Sequence, residues 1–314
     1  MQDIRKVIVL GATGNVGRHV VSALLQASFS VTAGGRTLTS MSDLPPEAVK
    51  ISVDYGSPES LKQAFSGQDA IIEAFNPNVA VFQEQIVQAA IDAGVRHIIT
   101  PDFSSDTFNP NVEELSIFEP KLKAQRILES AAEKHGLNWT AIITGPFFDW
   151  AIPLGVFWVN GESKEVMVFG SGDQKVSMSA IDMVGRASVA VLKNPVAFLN
   201  RAAYFADYTI SSNELVTALV SDESDDSREV WSKNEIPLST FLQQGKEMWA
   251  QDTADGVQDR LNSAAYQMLG MYGLFEETNR YGADFSEKIE EGFGIPLEEF
   301  QEILQEAVSK YTYA

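Results

Sequence analysis

The chain has 314 residues, of which 45% are hydrophobic, with a net charge of −20 and no cysteine. That charge counts against direct binding to nucleic acid or to an anionic membrane. The lack of cysteine excludes disulfides, thiolate metal sites and cysteine nucleophiles. The sequence also has no dense cluster of other metal-binding residues, so no metal site is predicted. Because no apolar run reaches ~18 residues and no apolar leader opens the chain, the sequence predicts a cytoplasmic protein.

The predicted elements begin with a strand at residues 6–10, a glycine-rich turn and a helix from Arg18 to about Gln26. The glycines let the backbone turn sharply and approach a ligand closely. The N-terminus of the helix offers unpaired N–H groups to a diphosphate. The sequence therefore predicts a dinucleotide site, with an ordinary tight turn as the alternative. The turn reads Gly11-Ala12-Thr13-Gly14-Asn15-Val16-Gly17.

The second predicted strand, residues 30–34, is followed by Gly35-Arg36-Thr37. In a site for NAD the end of this strand usually carries an acid for the ribose 2′-hydroxyl, and no acid is present here. A guanidinium can instead bind a 2′-phosphate through paired N–H donors. Arg36, with Thr37 beside it, therefore predicts a preference for NADP(H); the alternative is a solvated loop arginine.

Strand and helix patterns alternate as far as residue 146, with strands at 48–53, 70–74, 96–100 and 139–144 and helices at 57–65, 79–93 and 118–134. The nearly unbroken apolar strands indicate a parallel sheet covered on both faces, so this order predicts a doubly wound α/β fold of the Rossmann type. In such sheets ligands bind beyond the carboxyl ends of the strands. The residues expected to line one crevice there are Asp54, Phe75, Asn76, Pro101, Asp102, Phe103, Thr144, Gly145 and Pro146.

Lys121 is the candidate for acid–base chemistry, because it lies near the start of the helix after the fifth strand. A lysine at the positive end of a helix, next to a nicotinamide, can have a lowered pKa and exchange a proton near neutral pH. The alternative is a solvated helix lysine. A tyrosine four residues before the lysine, the usual partner in short-chain dehydrogenases, is replaced by Ile117, so a tyrosine-mediated alcohol dehydrogenase is disfavoured.

After Pro146 the regular alternation ends in an aromatic run that comprises Phe147, Phe148, Trp150, Phe157 and Trp158. This run predicts either an apolar pocket for an aromatic substrate, with Phe103 contributing, or plain core. Strands are predicted at 166–169 and 176–181, and helices at 182–192, 213–219, 238–249 and 297–310. The sequence thus predicts a cofactor domain at 1–146 and a smaller, mixed α+β substrate lobe at 147–314, with interleaving of the two left open.

The turn at 11–17, the Gly35-Arg36-Thr37 segment and Phe118-Glu119-Pro120-Lys121-Leu122-Lys123-Ala124-Gln125-Arg126 resemble the NmrA-like and isoflavone-reductase-like group of atypical short-chain dehydrogenases. The resemblance covers roughly residues 4–200. In the reductase branch it implies NADPH as the hydride donor and Lys121 as the catalytic acid or base. Candidate cofactor contacts are Gly11, Thr13, Gly14, Asn15, Val16, Gly17, Arg36, Thr37, Asp54, Phe75, Asn76, Phe103, Lys121 and Pro146.

Two functions are therefore predicted. The first is an NADPH-dependent reductase of an aromatic or conjugated small molecule, with Lys121 handling the proton. The second, which the NmrA branch implies, is a non-catalytic sensor of NADP(H) that binds a partner protein. The sequence does not identify the substrate, and it leaves open whether the protein is a monomer or a homodimer.

Overall fold

The structure is a computed structural model that describes residues 3–219, 231–257, 260–261 and 263–310. The chain divides into two compact units. The first, the sheet unit, comprises Met1–Phe103, Pro120–Ile143 and Asp182–Ala203. The second, the mixed unit, comprises Ser104–Glu119, Thr144–Ile181 and Tyr204–Ala314. The chain therefore passes between the units several times, where the sequence suggested a main boundary after Pro146.

The sheet unit is built on one seven-stranded sheet with the strand order β10-β6-β5-β4-β1-β2-β3. The pairings from β3 across to β6 are all parallel. The doubly wound α/β prediction is confirmed, and the six strands predicted in this region are all present. The strands are β1 Lys6–Leu10, β2 Ser30–Gly35, β3 Val49–Ser52, β4 Ala70–Glu73, β5 His97–Ile99, β6 Asn138–Ile143 and β10 Arg201–Tyr204.

The central strands are covered on both faces, which explains their continuous apolar sequences. Val7, Ile8, Val9 and Leu10 of β1 are all fully buried. Burial of every side chain, rather than of alternate ones, is expected when helices pack on both sides of a parallel sheet. The edge strand β3 is partly exposed, in agreement with its position at the end of the sheet.

Five helices flank the sheet: α1 Asn15–Gln26, α2 Pro58–Phe65, α3 Gln83–Ala93, α4 Glu119–His135 and α6 Met183–Lys193. The predicted starts and stops have local causes. The Ser57 side chain accepts a hydrogen bond from the Ser60 N–H at the start of α2, and Gly94 ends α3 in the left-handed conformation. The helix predicted at 79–93 begins instead with a 3₁₀ segment, Pro77–Phe82, before α3.

The mixed unit contains a three-stranded sheet and a two-stranded sheet packed with helices. The first has the order β12-β8-β7, and the second pairs β11 with β9 in antiparallel fashion. Sequence patterns did not predict β7, β11, β12 or α9. The strands are β7 Val159–Asn160, β8 Glu165–Phe169, β9 Lys175–Met178, β11 Tyr208–Ser211 and β12 Ser232–Ile236. The helices are α5 Phe148–Ala151, α7 Ser212–Leu219, α8 Phe241–Ala254, α9 Ala264–Phe275 and α10 Leu297–Ser309.

Candidate functional site

The glycine-rich turn joins β1 to α1 with a conformation that only glycine adopts easily. Gly11 has a φ of +74°, and its N–H donates to the carbonyl of Gly34 at 3.1 Å. A Cβ built on Gly11 would lie 2.5 Å from the carbonyl oxygen of Ala74 on the loop after β4. Any larger residue would therefore push the turn away from the sheet edge.

Gly17 lets the first turn of α1 approach the loop that precedes it. A Cβ on Gly17 would lie 2.2 Å from the carbonyl oxygen of Gly11, which accepts the Gly14 N–H at 3.0 Å. Gly14 is the N-cap of α1 and offers no side-chain cap. The first N–H groups of a helix have no partners within the helix, so the N–H groups of Asn15, Val16 and Gly17 are of the kind that can bind an anion.

Arg36 and Thr37 directly follow β2, as predicted, and both are exposed. The Arg36 main-chain oxygen accepts the Ser52 hydroxyl at 2.9 Å, and the Thr37 hydroxyl contacts Ser40 at 3.2 Å. The backbone of this turn is thus anchored to its neighbours, while the Arg36 side chain extends into solvent. An exposed guanidinium on a fixed backbone can bind a phosphate group that a ligand brings to it.

An aromatic group lies beside the turn. Phe75, which follows β4, packs edge-on against Tyr55, with ring centroids 5.7 Å apart, and the Phe82 ring is 6.4 Å from that of Tyr55. Burial raises the pKa of Tyr55 to about 12, so the phenol stays protonated. Asp54 and Asn76, also predicted from strand ends, are exposed, and the Asp54 carboxylate accepts the Gly56 N–H at 2.9 Å.

Lys121 is a buried amine, only 9% exposed, in the first turn of α4. Its Nζ donates a hydrogen bond to the main-chain oxygen of Asp102, on the loop after β5, at 2.6 Å. Burial lowers the pKa of Lys121, and the nearby Asp102 carboxylate opposes that effect. The solvated-lysine alternative therefore does not describe this residue. The next residue after Asp102, Phe103, is also buried and has a φ of +26°.

Glu73 is a functional candidate that the sequence patterns did not reveal. It is the last residue of β4, it is fully buried, and Gln83 Nε2 donates to both of its oxygens, at 2.9 and 3.2 Å. Burial raises the pKa of Glu73 to about 8, with a smaller contribution from Asp102 in the same direction. The only available signal was an acid that ends an otherwise apolar strand.

The aromatic run belongs to the mixed unit, where three of its members are core. Phe148 contacts Phe300 at a centroid distance of 5.0 Å, and Trp158 stacks on Phe157 at 3.6 Å. This burial favours the core alternative for Phe148, Phe157 and Trp158. Phe147 is partly buried, and Trp150 is 37% exposed. Pro146 lies just before the run, and its carbonyl accepts the Ser179 N–H at 3.0 Å.

Within the described residues, no group of three or more His, Asp and Glu side chains is arranged to hold a metal ion. No helix in the same part of the chain has the length and apolar character needed to cross a membrane.

The parallel sheet, the glycine turn against its edge and the open N-terminus of α1 define a dinucleotide-binding protein of the Rossmann type. A family model described as NAD(P)H-binding matches residues 11–195. The oxidoreductase aprR of Aspergillus flavus is 33% identical over 218 residues, which cover 68% of this chain and 72% of the relative. Isoflavone reductase homolog P3 of Arabidopsis thaliana is 25% identical over 232 residues, which cover 68% of this chain and 73% of that relative.

Solved structures show the same fold. The leucoanthocyanidin reductase of Vitis vinifera, in a ternary complex, matches 97% of this chain and 99% of its own with a TM-score of 0.73 and 16% identity. The triphenylmethane reductase of Citrobacter sp., complexed with NADP(H), matches 96% of this chain and 99% of its own with a TM-score of 0.65 and 21% identity. The chain belongs to the NAD(P)H-binding family of oxidoreductases, and isoflavone reductase homologues are among its relatives.

Proposed function

We propose that the protein is an NADPH-dependent reductase of an aromatic or conjugated small molecule. The observation that carries this proposal is the buried amine of Lys121. The amine is hydrogen-bonded to the loop after β5, at the carboxyl ends of the strands, which is where Rossmann-type sheets bind ligands. A lysine without a specific role would expose its ammonium group to water. A buried amine at the ligand-binding edge is the expected form of a proton-exchanging group.

The cofactor preference rests on Arg36. The strand that precedes it ends without an acid, so nothing there would bind a ribose 2′-hydroxyl in the usual way. The exposed guanidinium favours the 2′-phosphate of NADP(H), and Thr37 adds a hydroxyl next to it. The α1 donors at Asn15, Val16 and Gly17 would hold the diphosphate. Bound NADPH supplies the hydride that a reductase needs.

Lys121 would manage the proton that accompanies the reduction. Because burial lowers its pKa, the amine can lose and regain a proton closer to neutral pH than an exposed lysine can. The hydrogen bond to the Asp102 carbonyl fixes one of the N–H directions of the amine and holds the amine beside the loop after β5.

The substrate class is argued from the relatives and from the aromatic side chains that stay accessible. Relatives include a phenylcoumaran benzylic ether reductase of Pinus taeda, 25% identical over 228 residues, whose name describes an aromatic substrate. Trp150 and Phe147 of the mixed unit keep exposed surface that a flat apolar molecule could contact. We propose these two as candidate substrate contacts.

The test measures NADPH oxidation against a panel of enones, quinones and aromatic ethers, followed by Lys121→Met on any substrate that the wild type reduces. The variant keeps an unbranched side chain of similar size but cannot exchange a proton, so turnover should fall at least tenfold while NADPH affinity stays near wild type. Lys123→Met, an exposed position on the same helix, is the matched control. NADPH binding with no turnover on any panel member would instead favour the sensor function.

A further inference from the structure

Two side chains of α4 hold the same residue of the loop after β5. Lys121 and Gln125 are four residues apart and therefore lie one turn apart on one face of the helix. Lys121 Nζ donates to the main-chain oxygen of Asp102 at 2.6 Å, and Gln125 Nε2 donates to the Asp102 carboxylate at 3.2 Å. The Thr100 hydroxyl donates to the other carboxylate oxygen. We call Thr100, Asp102, Lys121 and Gln125 the Asp102 clamp.

The clamp is buried throughout, so its polar groups depend on one another rather than on water. A buried carboxylate is costly unless hydrogen bonds satisfy its oxygens, and here both oxygens have a donor. Phe103, the next residue, has a φ of +26°, a conformation that costs energy for a residue with a side chain. The bonds of the clamp therefore also hold a strained turn in place.

We propose that Asp102 and Gln125 are positioning residues for Lys121, in that they fix where its amine points and keep a negative charge beside it. This inference rests on the proposed role of Lys121 in proton exchange. Gln125 orients the carboxylate from the helix side, and Thr100 orients it from the strand side. Lys121 is in turn tied to the backbone of the same residue, so its amine cannot swing away without breaking the clamp.

The charges that act on the clamp come from the loop after β5 and from the end of β4. The Asp102 carboxylate favours the protonated form of Lys121 and opposes the effect of burial. Glu73, on β4, interacts with Asp102, and burial holds the pKa of Glu73 high enough that it is mostly uncharged at neutral pH. Removal of the Asp102 charge therefore leaves burial unopposed, and the Lys121 amine should lose its proton at a lower pH.

The experiment compares Asp102→Asn and Gln125→Met with Glu129→Gln, an exposed change on the same helix. The ¹³Cε signal of Lys121 in ¹³C-lysine-labelled protein, assigned by its loss in Lys121→Met, is titrated against pH. In parallel, kcat and KM for NADPH are measured from pH 5.5 to 9.5 with a substrate that the wild type reduces. Thermal melts confirm that each variant is folded.

In Asp102→Asn we expect the Lys121 titration to move to lower pH, because the negative charge that opposes the effect of burial is gone. We also expect kcat to fall further at pH 8 than at pH 6, with KM for NADPH within twofold of wild type. Gln125→Met should lower kcat several-fold with a smaller titration shift, and it carries the test if Asp102→Asn does not fold. Glu129→Gln should match wild type in every measurement.

An unmoved Lys121 titration in Asp102→Asn, together with wild-type kcat in Gln125→Met, would overturn the inference. If Lys121→Met abolishes turnover at the same time, the proposed function stands and the clamp is purely structural. If Lys121→Met turns over substrate like wild type, the proposed role of Lys121 fails instead. The Lys121 titration in Asp102→Asn then shows by itself whether Asp102 stabilises the protonated form of Lys121.

Discussion

The carboxylate of Glu73 accepts two hydrogen bonds from the side-chain amide of Gln83, at 2.9 and 3.2 Å, with both residues fully buried. The Gln83 Oε1 atom has no hydrogen-bond partner among the described residues. A rotation of the amide by half a turn would let this oxygen accept a hydrogen bond from the O–H of a neutral Glu73. The pair is therefore suited to an uncharged acid at the carboxyl end of β4.

This pair predicts a loss of stability as the pH rises. The pKa of Glu73 is raised from 4.5 to about 8, so between those values the native state holds a proton that the unfolded state has released. The free energy of unfolding should then fall with rising pH across that range, by up to about 1.4 kcal/mol per unit. Urea denaturation of wild type and Glu73→Gln at pH 5.5, 7 and 8.5 measures the difference.

Glu73→Gln cannot ionise, so its advantage over wild type should grow from pH 5.5 to about 8 and level off above that pH. Glu84→Gln, an exposed change on α3, is the control and should follow wild type at every pH. Parallel curves for wild type and Glu73→Gln would show that this carboxyl does not stay protonated in the native state.

Arg36→Ala should weaken NADP(H) binding by about 1.5–3 kcal/mol, the scale of a lost hydrogen bond to a charged group. NAD(H) lacks the phosphate, so its affinity should change little. Calorimetric titration with both cofactors measures the two losses, and Arg5→Ala, another exposed arginine of the sheet unit, controls for net charge. Equal losses for NADP(H) and NAD(H) would mean that Arg36 does not recognise the 2′-phosphate.

Gly17→Ala should reduce both stability and cofactor affinity. The new Cβ would lie 2.2 Å from the Gly11 carbonyl oxygen and 2.8 Å from the Ala12 Cα, and backbone atoms cannot rotate away as side chains can. We expect a loss of a few kcal/mol, comparable to severe overpacking. Gly270→Ala in α9 meets nothing closer than 4.0 Å and should be neutral or stabilising, since alanine favours the helix. Melting temperatures with and without NADPH compare the two variants.

Phe148→Ala should cost about 3–5 kcal/mol of stability, because it empties a fully buried site packed against Phe300. Trp150→Ala removes a side chain that is 37% exposed and should cost about 1 kcal/mol or less, while raising KM for an aromatic substrate. Chemical denaturation and steady-state kinetics separate these outcomes. If Phe148→Ala kept wild-type stability and raised KM strongly, Phe148 would be a substrate contact and not a core residue.

The sequence predicted the sheet unit well because its strands are short, apolar runs bounded by glycines and polar turns. The strand at 6–10 and the turn at 11–17 are examples, since each pattern has a local cause. The helix α9 was missed because its sequence, AAYQMLGMYGLF, has two interior glycines and no clear polar face. The strand β12 was missed because SKNEI is polar and mostly exposed, and only its pairing with β8 makes it a strand.

Some residues of the candidate site could also be located from the local sequence, and others could not. Lys121 and Arg36 could be located from their distance to strand ends, which is a property of the local sequence. Partners such as Gln125 and Gln83 depend on which helix face meets which strand, and that is fixed only by the assembled fold. The aromatic run shows the same limit, because apolar composition alone does not separate a packed interior from a binding surface.

The helix α6 lies against α1 so closely that a Cβ on Gly185 would come within 2.6 Å of the Ala23 Cβ. The chain reaches α6 only after residue 182, far beyond the glycine turn that α1 carries at its other end. A fragment that stops at residue 146 would lack both this brace and β10, and would expose the apolar flank of α1. The smallest piece that keeps the sheet unit intact must therefore include residues 182–203, so truncation of the chain before residue 182 should yield insoluble material.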